Sequence, residues 1–571
     1  MDKHHGWTIS SSEDEEEKSI LPSKEKKRKF MSPAQMKRKI FRNEETNEAK
    51  TKVPCKFGDK CFRKNEEHLK EFSHTGKRKL EKNSEDDNSP QSSNKRLKAS
   101  AGNNSLDPVS AYHASEPYHL LLTTVKDIPK KFNYLGTTTV KEFACPPSIG
   151  IKDILSTKFG KILKSAQFNY CIDIQWLMDQ YPKEVRDQPI LIVHGEQAGN
   201  NMKLKAEAAP FLNIQLCRAD LPPFGTHHTK MMFLLYKQGL RIVISTSNLV
   251  EQDWRNRTQG LWMSPIFPKG DPKADDSEFK KGLLAYLNAY KKKELGPWIE
   301  LIKEHDMSSA NVLLVASVPG RHTGPSLHSW GHLKLRKLLT TYVKGVDSTW
   351  PVIGQFSSIG SLGPNKDKWV CGEWLTSMSA CQRKNQLGAV KKADLKLIFP
   401  TVDNVRCSLD GYPSGASLPY SSANAHKQPW LKSFFHHWKA EHCGRSEASP
   451  HIKSYTRISP FKTNIRSAWF LLTSANLSKA AWGGLEKLNS QLAIKSYELG
   501  VLFIPSIINN VTSESSPLDN YFHLNMSSSG KQFYLPYSLP LQPYNSEDEP
   551  WTWDAPHKDG PDRFGNMWVP C

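Results

Sequence analysis

Short apolar runs, bounded by Gly, Pro, Asn or Ser and rich in branched residues, recur along the chain from about residue 110 onward. This pattern predicts strands that are buried on both faces of a sheet. The runs are residues 189–195, 230–236, 240–246, 311–317, 395–400, 468–474 and 499–505.

Two longer stretches between these runs, residues 277–293 and 330–343, carry apolar residues at helical spacing. Strands and helices in this mixture predict layered α/β domains, with helices on both sides of a sheet. A chain of 571 residues that is 38% hydrophobic can bury at least two cores, because a single core stops growing at roughly 250–300 residues. We therefore expect two domains, residues 109–315 and 316–571, and an N-terminal tail.

A His-x-Lys triplet occurs twice, and each copy is followed by an apolar run that leads to an asparagine and, six residues later, to a tryptophan. The polar residues are His228, Lys230 and Asn248 in the first copy and His451, Lys453 and Asn476 in the second. Two imidazoles, two ammonium groups and two carboxamides can grip a phosphoryl group, attack it and protonate its leaving group without a metal. The repeat therefore predicts an enzyme in which two similar domains meet at one shared site, with no cofactor for catalysis.

The formal net charge of +20 predicts an anionic partner, and leaves nucleic acid and an anionic membrane surface both open. No N-terminal apolar segment or run of about 20 apolar residues occurs in the sequence, so we expect a soluble, intracellular protein. The ten cysteines form no paired framework, which is typical of a reducing compartment.

The N-terminal residues are rich in Ser, Lys, Glu and Asn and poor in aliphatic side chains. This composition predicts a disordered arm over residues 1–52 and a disordered linker over residues 77–108. Basic clusters at residues 24–29, 37–39, 77–79 and 95–98 each fit a nuclear import signal or a solvated charge run. Four clusters together favour the nucleus, with the cytoplasm and mitochondria left open.

One segment of the arm, residues 53–76, carries four metal-ligand side chains in the pattern C-x5-C-x6-H-x5-H. They are Cys55, Cys61, His68 and His74. Two thiolates and two imidazoles satisfy tetrahedral zinc, and metal binding would supply the folding free energy of so short a segment. The segment resembles the poly(ADP-ribose)-binding zinc finger family at Phe57, Gly58, Phe62 and Arg63. The resemblance implies that Phe57, Phe62 and Arg63 bind poly(ADP-ribose), although the two aromatic positions are often tyrosine in that family.

The remainder of the chain resembles the phospholipase D superfamily and, more closely, the tyrosyl-DNA phosphodiesterase family. The resemblance rests on FGTHHTKMM, STSNL, TQG, GQFSSIGSLG, SGASLPYS, HIKSY, TSANLSKAAWG, SYELGVLF and the terminal GNMWVP. It implies an α/β fold of two similar phospholipase D-like α/β/α domains that share one active site. Phospholipases usually keep an Asp where this chain has Leu235 and Ile458, so its absence disfavours lipid cleavage.

The family resemblance also implies roles for the site residues. His228 is expected to be the nucleophile, and His451 the general acid that later activates water. Lys230, Lys453, Asn248 and Asn476 would surround the nonbridging oxygens. Gln259 is expected to orient His228 and Glu498 to orient His451, and the carboxylate would raise the pKa of His451 and favour its acid form.

The implied reaction is hydrolysis of a 3′-phosphotyrosyl bond between DNA and a trapped topoisomerase I peptide, leaving a 3′-phosphate. The enzyme would act as a monomer on single strands or on the 3′ ends of breaks, and without a membrane partner. Expected substrate contacts are base stacking by Phe224, phosphate binding by Ser358 and Ser478, and peptide contacts by Tyr170 and Trp553. Two alternatives stay open, a lipid phosphodiesterase with the same histidines and a noncatalytic reader of DNA ends or poly(ADP-ribose).

Overall fold

The structure, a computed structural model, describes residues 120–128, 145–271, 277–382, 393–461, 463–512, 515–524 and 532–570, and the backbone of residues 53–54 and 72–73. The predicted arm, linker and zinc ligands lie outside the described residues. In the N-terminal part, Val53–Pro54 pairs in parallel with Phe72–Ser73. Cys55 and His74 are the residues that follow these two strands in the sequence.

The first large sheet has eight strands. They are β1 (Leu121–Thr123), β2 (Ser148–Ile149), β3 (Lys164–Phe168), β4 (Ile190–His194), β5 (Ile214–Arg218), β6 (Met231–Tyr236), β7 (Gly239–Ser245) and β8 (Gly260–Met263). Their order across the sheet is β2-β1-β8-β7-β6-β3-β4-β5. Neighbours from β1 to β3 along this order are antiparallel, and the β2-β1, β3-β4 and β4-β5 pairs are parallel.

The second large sheet also has eight strands. They are β9 (Leu313–Ser317), β10 (Val352–Gln355), β11 (Leu395–Ile398), β12 (Phe435–His436), β13 (Ser454–Ile458), β14 (Arg466–Thr473), β15 (Glu498–Phe503) and β16 (Phe522–His523). The order is β9-β15-β14-β13-β10-β11-β12, and β16 pairs with the start of β14.

Seven of the eight strands in each sheet follow the same topology. The order β1-β8-β7-β6-β3-β4-β5 corresponds to β9-β15-β14-β13-β10-β11-β12, with antiparallel and parallel pairs in the same places. The predicted duplication of an α/β domain is therefore confirmed. Strand β9 already belongs to the second sheet, so the predicted boundary between residues 315 and 316 falls inside a strand.

Alternation along the strands builds three cores from two sheets. One face of each sheet contributes to a shared core, for example through Ile242 and Ile244 of β7 and Val501 of β15. The opposite faces contribute to separate outer cores, through Val243 in the first half and Leu502 in the second. The halves are thus joined by a continuous apolar layer.

Helices cover these faces. They are α1 (Ile151–Ile154), α2 (Ile174–Gln180), α3 (Ala198–Ala208), α4 (Glu251–Arg255), α5 (Glu278–Ala289), α6 (Gly296–Glu304), α7 (Gly331–Tyr342), α8 (Leu375–Met378), α9 (Val402–Arg406), α10 (Ser422–Lys427), α11 (Lys479–Trp482) and α12 (Pro505–Ile508). The predicted helices in residues 277–293 and 330–343 are confirmed as α5 and α7. Ser277 accepts a hydrogen bond from the Lys280 N–H and caps the N-terminus of α5.

All seven predicted apolar runs form strands of the two sheets. Strand β3 was not predicted because Ser165 and Gln167 interrupt its apolar pattern. Both are buried, and both hydrogen-bond to the hydroxyl of Tyr181 at 2.8 Å, which gives the Ser165 hydroxyl and the Gln167 amide nitrogen a partner inside the outer core. Within the described part of the chain, no helix has the length and apolarity to cross a membrane.

Candidate active site

The repeated residues meet at one edge of the two sheets because of the strand order. Each His-x-Lys triplet ends immediately before β6 or β13, and each asparagine lies shortly after the end of the neighbouring strand, β7 or β14. Gln259 comes just before β8, and Glu498 is the first residue of β15. In antiparallel neighbours the start of one strand lies beside the end of the next, so these residues converge.

Backbone hydrogen bonds join the two edges to each other. The His228 N–H donates to the carbonyl oxygen of Tyr497 at 2.9 Å, and the His451 N–H donates to that of Thr258 at 3.0 Å. Tyr497 immediately precedes Glu498, and Thr258 immediately precedes Gln259. Each histidine therefore lies against the strand start of the opposite half.

This cross-pairing reverses the predicted orienting partners. Nδ1 of His228 lies 3.0 Å from Oε2 of Glu498, and Nδ1 of His451 lies 2.8 Å from Nε2 of Gln259. The prediction that Gln259 orients His228 and Glu498 orients His451 is wrong. With Nδ1 engaged on both rings, Nε2 is the nitrogen that each ring presents to a substrate.

Two hydroxyl groups that the sequence analysis missed hold the orienting side chains in equivalent ways. Thr246 Oγ1 donates to Oε1 of Gln259 at 2.7 Å, and Ser474 Oγ donates to Oε2 of Glu498 at 2.5 Å. Each hydroxyl also accepts a backbone N–H at 3.0 Å, from Gly260 in the first half and Leu499 in the second. The sequence did contain a pattern that could have identified them, because a hydroxyl residue stands two positions before the asparagine in both copies of the repeat.

The Thr246 hydrogen bond fixes the amide of Gln259. Because Oε1 accepts from Thr246, the amide nitrogen faces His451 and donates to its Nδ1. In the free protein, a neutral His451 therefore carries its proton on Nε2, on the side of the substrate.

Asp253 is a further site residue that the sequence analysis missed. Its Oδ2 lies 3.3 Å from Nδ1 of His451 and accepts the Asn248 N–H at 2.7 Å. Its Oδ1 accepts from Arg257 at 3.0 Å. Burial raises the pKa of Asp253, but His451 and Arg257 outweigh burial and lower it well below the usual range. The second copy has Ala481 at the same distance from its asparagine, so the repeat gave no signal for this carboxylate.

The electrostatics of the free site favour neutral imidazoles. Burial, followed by the charge of Lys453, lowers the pKa of His451 to about 3. Burial also lowers the pKa of His228, and the neighbouring Glu498 opposes this effect. The prediction that a carboxylate raises the pKa of His451 above its ordinary value is wrong, because desolvation and a cation outweigh Asp253.

The pKa values of Lys230 and Lys453 are both lowered in the free protein. Burial lowers the pKa of Lys230 to about 8, and burial together with Lys230 lowers that of Lys453 well below its ordinary value. Their Nζ atoms donate to the carbonyl oxygens of His228 and His451. An anion bound between them would raise the pKa values of both lysines and of His451, because it stabilises their charged forms.

The two asparagines differ in their hydrogen bonding. Oδ1 of Asn476 accepts the backbone N–H groups of Ser357 and Ser358 at 3.1 Å, which leaves its amide NH2 to donate elsewhere. Oδ1 of Asn248 is buried and has no hydrogen-bond partner in the described ranges. Among the described residues, no group of three or more His, Cys, Asp or Glu is placed to hold a metal ion.

Two predicted substrate residues lie at the site or its margin. The Tyr170 ring meets the His228 ring edge-on at 5.3 Å between centroids, and Nζ of Lys230 is 5.5 Å from the Tyr170 centroid. Phe224 is 57% exposed and has a positive φ of 63°. Nζ of Lys495 lies 5.9 Å from its centroid. An exposed ring held in a disfavoured backbone conformation is typical of a binding surface.

The other three predicted contacts have structural partners. The Ser358 hydroxyl donates to the Pro419 carbonyl oxygen at 2.8 Å, and the Ser358 N–H donates to Oδ1 of Asn476 at 3.1 Å. Ser478 caps α11 by accepting the Ala481 N–H at 3.2 Å. Trp553 packs against the outer core of the second half, and the structure shows no contact between it and the histidines within the described ranges.

Glu498→Gln tests the observed pairing of histidines and partners. If His228 is the nucleophile, as the family resemblance implies, covalent attack on a 3′-phosphotyrosyl oligonucleotide should slow by about 10²-fold, because the ring of His228 loses the carboxylate that stabilises its cationic form. Gln259→Leu should instead slow the resolution of the covalent complex. Rapid-quench measurements of both steps check this expectation. Glu486→Gln is the control, because Glu486 lies in the small three-stranded sheet formed by Gly484–Glu486, Gln491–Ile494 and Gly320–Thr323. Slowed resolution in Glu498→Gln with normal attack would contradict the observed pairing.

Comparison with known proteins gives a consistent result. A family model described as tyrosyl-DNA phosphodiesterase matches residues 121–545, and one described as a PBZ domain matches residues 52–77. Tyrosyl-DNA phosphodiesterase 1 of Drosophila melanogaster is 39% identical over 457 residues, which are 77% of this chain and 74% of that protein. The Arabidopsis thaliana protein of the same name is 38% identical over 483 residues, covering 77% of each chain. The solved structure of yeast tyrosyl-DNA phosphodiesterase aligns over 76% of this chain and 99% of that chain, with a TM-score of 0.56 and 21% identity, and shows the same fold.

Proposed function

Because this chain belongs to the tyrosyl-DNA phosphodiesterase family, and is therefore a phosphoric diester hydrolase of DNA repair, we propose that it hydrolyses the 3′-phosphotyrosyl bond between DNA and a trapped topoisomerase I peptide. Other 3′ end adducts fit the same site. The observation that carries the mechanism is the pair of imidazoles whose Nδ1 atoms are held from opposite halves. A single chain supplies both halves, and we propose that it acts as a monomer.

In the first step, Nε2 of His228 attacks phosphorus and forms a covalent phosphohistidine, while the bond to the tyrosine oxygen breaks. Glu498 holds the Nδ1 proton of His228 and stabilises the ring as it becomes cationic. His451, protonated once the anionic phosphodiester is bound, gives its Nε2 proton to the tyrosine oxygen. Lys230, Lys453 and the two asparagine amides stabilise the charge on the nonbridging oxygens.

In the second step, His451 accepts a proton from water through Nε2, and the resulting hydroxide attacks phosphorus and releases His228. After the first step the neutral ring keeps its proton on Nδ1. Oδ2 of Asp253, 3.3 Å away, then accepts a hydrogen bond from that N–H and replaces the Gln259 amide as the partner of Nδ1. The DNA product keeps a 3′-phosphate. Nε2 of His228 and Nε2 of His451 thus act in both steps.

A lipid phosphodiesterase is the less favoured alternative. Leu235 and Ile458 occupy the positions at which phospholipases usually keep an Asp, and both pack into the shared apolar core. A noncatalytic reader of DNA ends has no need of two oriented imidazoles and two buried lysines. Release of headgroup from phospholipid vesicles would favour the lipid alternative.

The direct test is metal-independent cleavage of a single-stranded oligonucleotide that ends in 3′-phosphotyrosine. We expect turnover to persist in excess EDTA, because the two lysines supply the charge stabilisation that a metal ion gives in other phosphodiesterases. The product should be a 3′-phosphate, identified by mass spectrometry. Turnover that depends on added Mg²⁺, or a 3′-hydroxyl product, would refute the proposed mechanism.

The PBZ match supports a second, separate binding function. We propose that Cys55, Cys61, His68 and His74 bind zinc, and that Phe57, Phe62 and Arg63 bind poly(ADP-ribose). The pairing of Pro54 with Ser73 supports this arrangement, since Cys55 and His74 are the next residues in the sequence. The four basic clusters of the arm support a nuclear location.

Cys61→Ala should release zinc and abolish poly(ADP-ribose) binding, because the metal supplies the folding free energy of the finger. Turnover of a short oligonucleotide should stay within about twofold of wild type, since the catalytic residues lie in a separate compact unit. Arg63→Ala is the matched variant that keeps zinc but loses a charge of the binding face. Zinc content, polymer filter binding and turnover check this. Unchanged polymer binding in Cys61→Ala would assign the polymer to the basic arm.

A further inference from the structure

The two residues on either side of His228 point into a buried polar network. His227 and Thr229 have no exposed surface. Nδ1 of His227 lies 3.0 Å from the carbonyl oxygen of Asn169, and its Nε2 lies 3.0 Å from the hydroxyl of Tyr290. Because a carbonyl oxygen only accepts, Nδ1 carries the proton and Nε2 accepts from Tyr290.

The network returns to the same loop through a second tyrosine. The hydroxyl groups of Tyr290 and Tyr286 lie 3.1 Å apart, and Tyr286 makes a short hydrogen bond to the hydroxyl of Thr229. Helix α5 contains Tyr286 and ends just before Tyr290. One end of one helix therefore holds the loop at both neighbours of His228.

The Tyr290 ring also holds the residue that precedes Glu498. It stacks on the Tyr497 ring with 4.3 Å between centroids and 16° between planes. The Tyr497 carbonyl oxygen accepts the His228 N–H at 2.9 Å. Tyr290 is thus in contact with both the loop that carries His228 and the strand start that carries its orienting carboxylate.

The second half has no equivalent network. His451 is flanked by Pro450 and Ile452, whose side chains form no hydrogen bonds, and Gln355 donates to the Ile452 carbonyl oxygen at 2.7 Å. Within the described residues, the tyrosine network is therefore specific to the side of His228. A nucleophile must lie in line with phosphorus at short range, and a network that holds the loop on both sides of His228 serves this demand.

We propose that Tyr290 is a positioning residue that fixes His228 and Glu498 relative to each other for attack on phosphorus. This inference rests on the proposed function, because it requires His228 to be the nucleophile. It assigns Tyr290 to the first chemical step alone. Once the phosphohistidine has formed, its covalent bond to phosphorus holds the ring, and the hydroxyl network is no longer needed.

The test compares Tyr290→Phe with wild type in single turnover on a 3′-phosphotyrosyl oligonucleotide. Formation of the covalent complex should slow by about tenfold, KM should stay within about twofold, and resolution of the complex should be unchanged. Tyr181→Phe is the matched control. Tyr181 is a buried tyrosine of the same half whose hydroxyl makes two hydrogen bonds, so the loss of thermal stability should be similar and both rates should be normal.

Thr229→Val keeps the shape of the side chain and removes the hydroxyl at the other end of the network. This variant serves as the test if Tyr290→Phe does not fold. It too should slow only formation of the complex. A normal rate of formation in either folded variant, or equal slowing of both steps, would overturn the proposal. If His228→Ala still forms a covalent complex, the proposed function has failed; if it does not and Tyr290→Phe is normal, only the positioning role has failed.

Discussion

His228→Ala is expected to abolish turnover and the covalent DNA–protein complex together. The variant lacks the nitrogen that we propose attacks phosphorus. The other imidazole of the site, His451, lies near Gln259 and Asp253, and we assign it the separate role of proton donor. We expect kcat to fall by about 10⁴-fold or more, as for other nucleophile deletions. Denaturing gels with a labelled 3′-phosphotyrosyl oligonucleotide measure both effects in one experiment.

His305→Ala is a suitable control for this variant. His305 is a buried histidine whose Nδ1 lies 2.6 Å from the Leu301 carbonyl oxygen, and it has no contact with the two lysines or asparagines. Its removal should lower stability and leave the covalent complex intact. A covalent complex that persists in His228→Ala would show that a different residue attacks phosphorus.

His451→Asn is expected to accumulate the covalent complex. A tyrosine phenolate, with a pKa near 10, can leave without full protonation, whereas water needs a base to attack the phosphohistidine. The first step should therefore slow less than the second. Asn can still accept from Gln259, so the hydrogen bond to the orienting amide is partly kept.

The measurement is the amount of gel-shifted oligonucleotide over time, with its decay followed after a chase. Wild type should show little shifted band at steady state, and His451→Asn should show a dominant one. His436→Asn, which replaces a buried histidine of β12 at the far edge of the second sheet, should behave as wild type. Absence of both the shifted band and residual cleavage in His451→Asn would show that the assigned roles are wrong.

The sequence by itself predicted seven of the sixteen strands of the two large sheets and most of the side chains of the site. Branched apolar runs predicted strands such as β7 and β15, because buried strands are apolar on both faces. The repeat identified six of the residues that we propose are catalytic, because the His-x-Lys triplet and the six-residue step from Asn to Trp both occur twice in the chain. Strand β3 was missed, since Ser165 and Gln167 interrupt its apolar pattern, and only folding places beside them the Tyr181 hydroxyl to which both hydrogen-bond.

Only the tertiary structure decided which group orients which histidine. His228 and Glu498 are 270 residues apart in the chain, and His451 and Gln259 are 192 apart. Their pairing follows from the way the strand edges of the two halves hydrogen-bond to each other, and no local pattern records that geometry. Asp253 is a site residue in one copy only, so the repeat could not reveal it. The lowered pKa values of the histidines and lysines follow from burial by both halves together, because desolvation depends on everything packed around a charge and not on its neighbours in sequence.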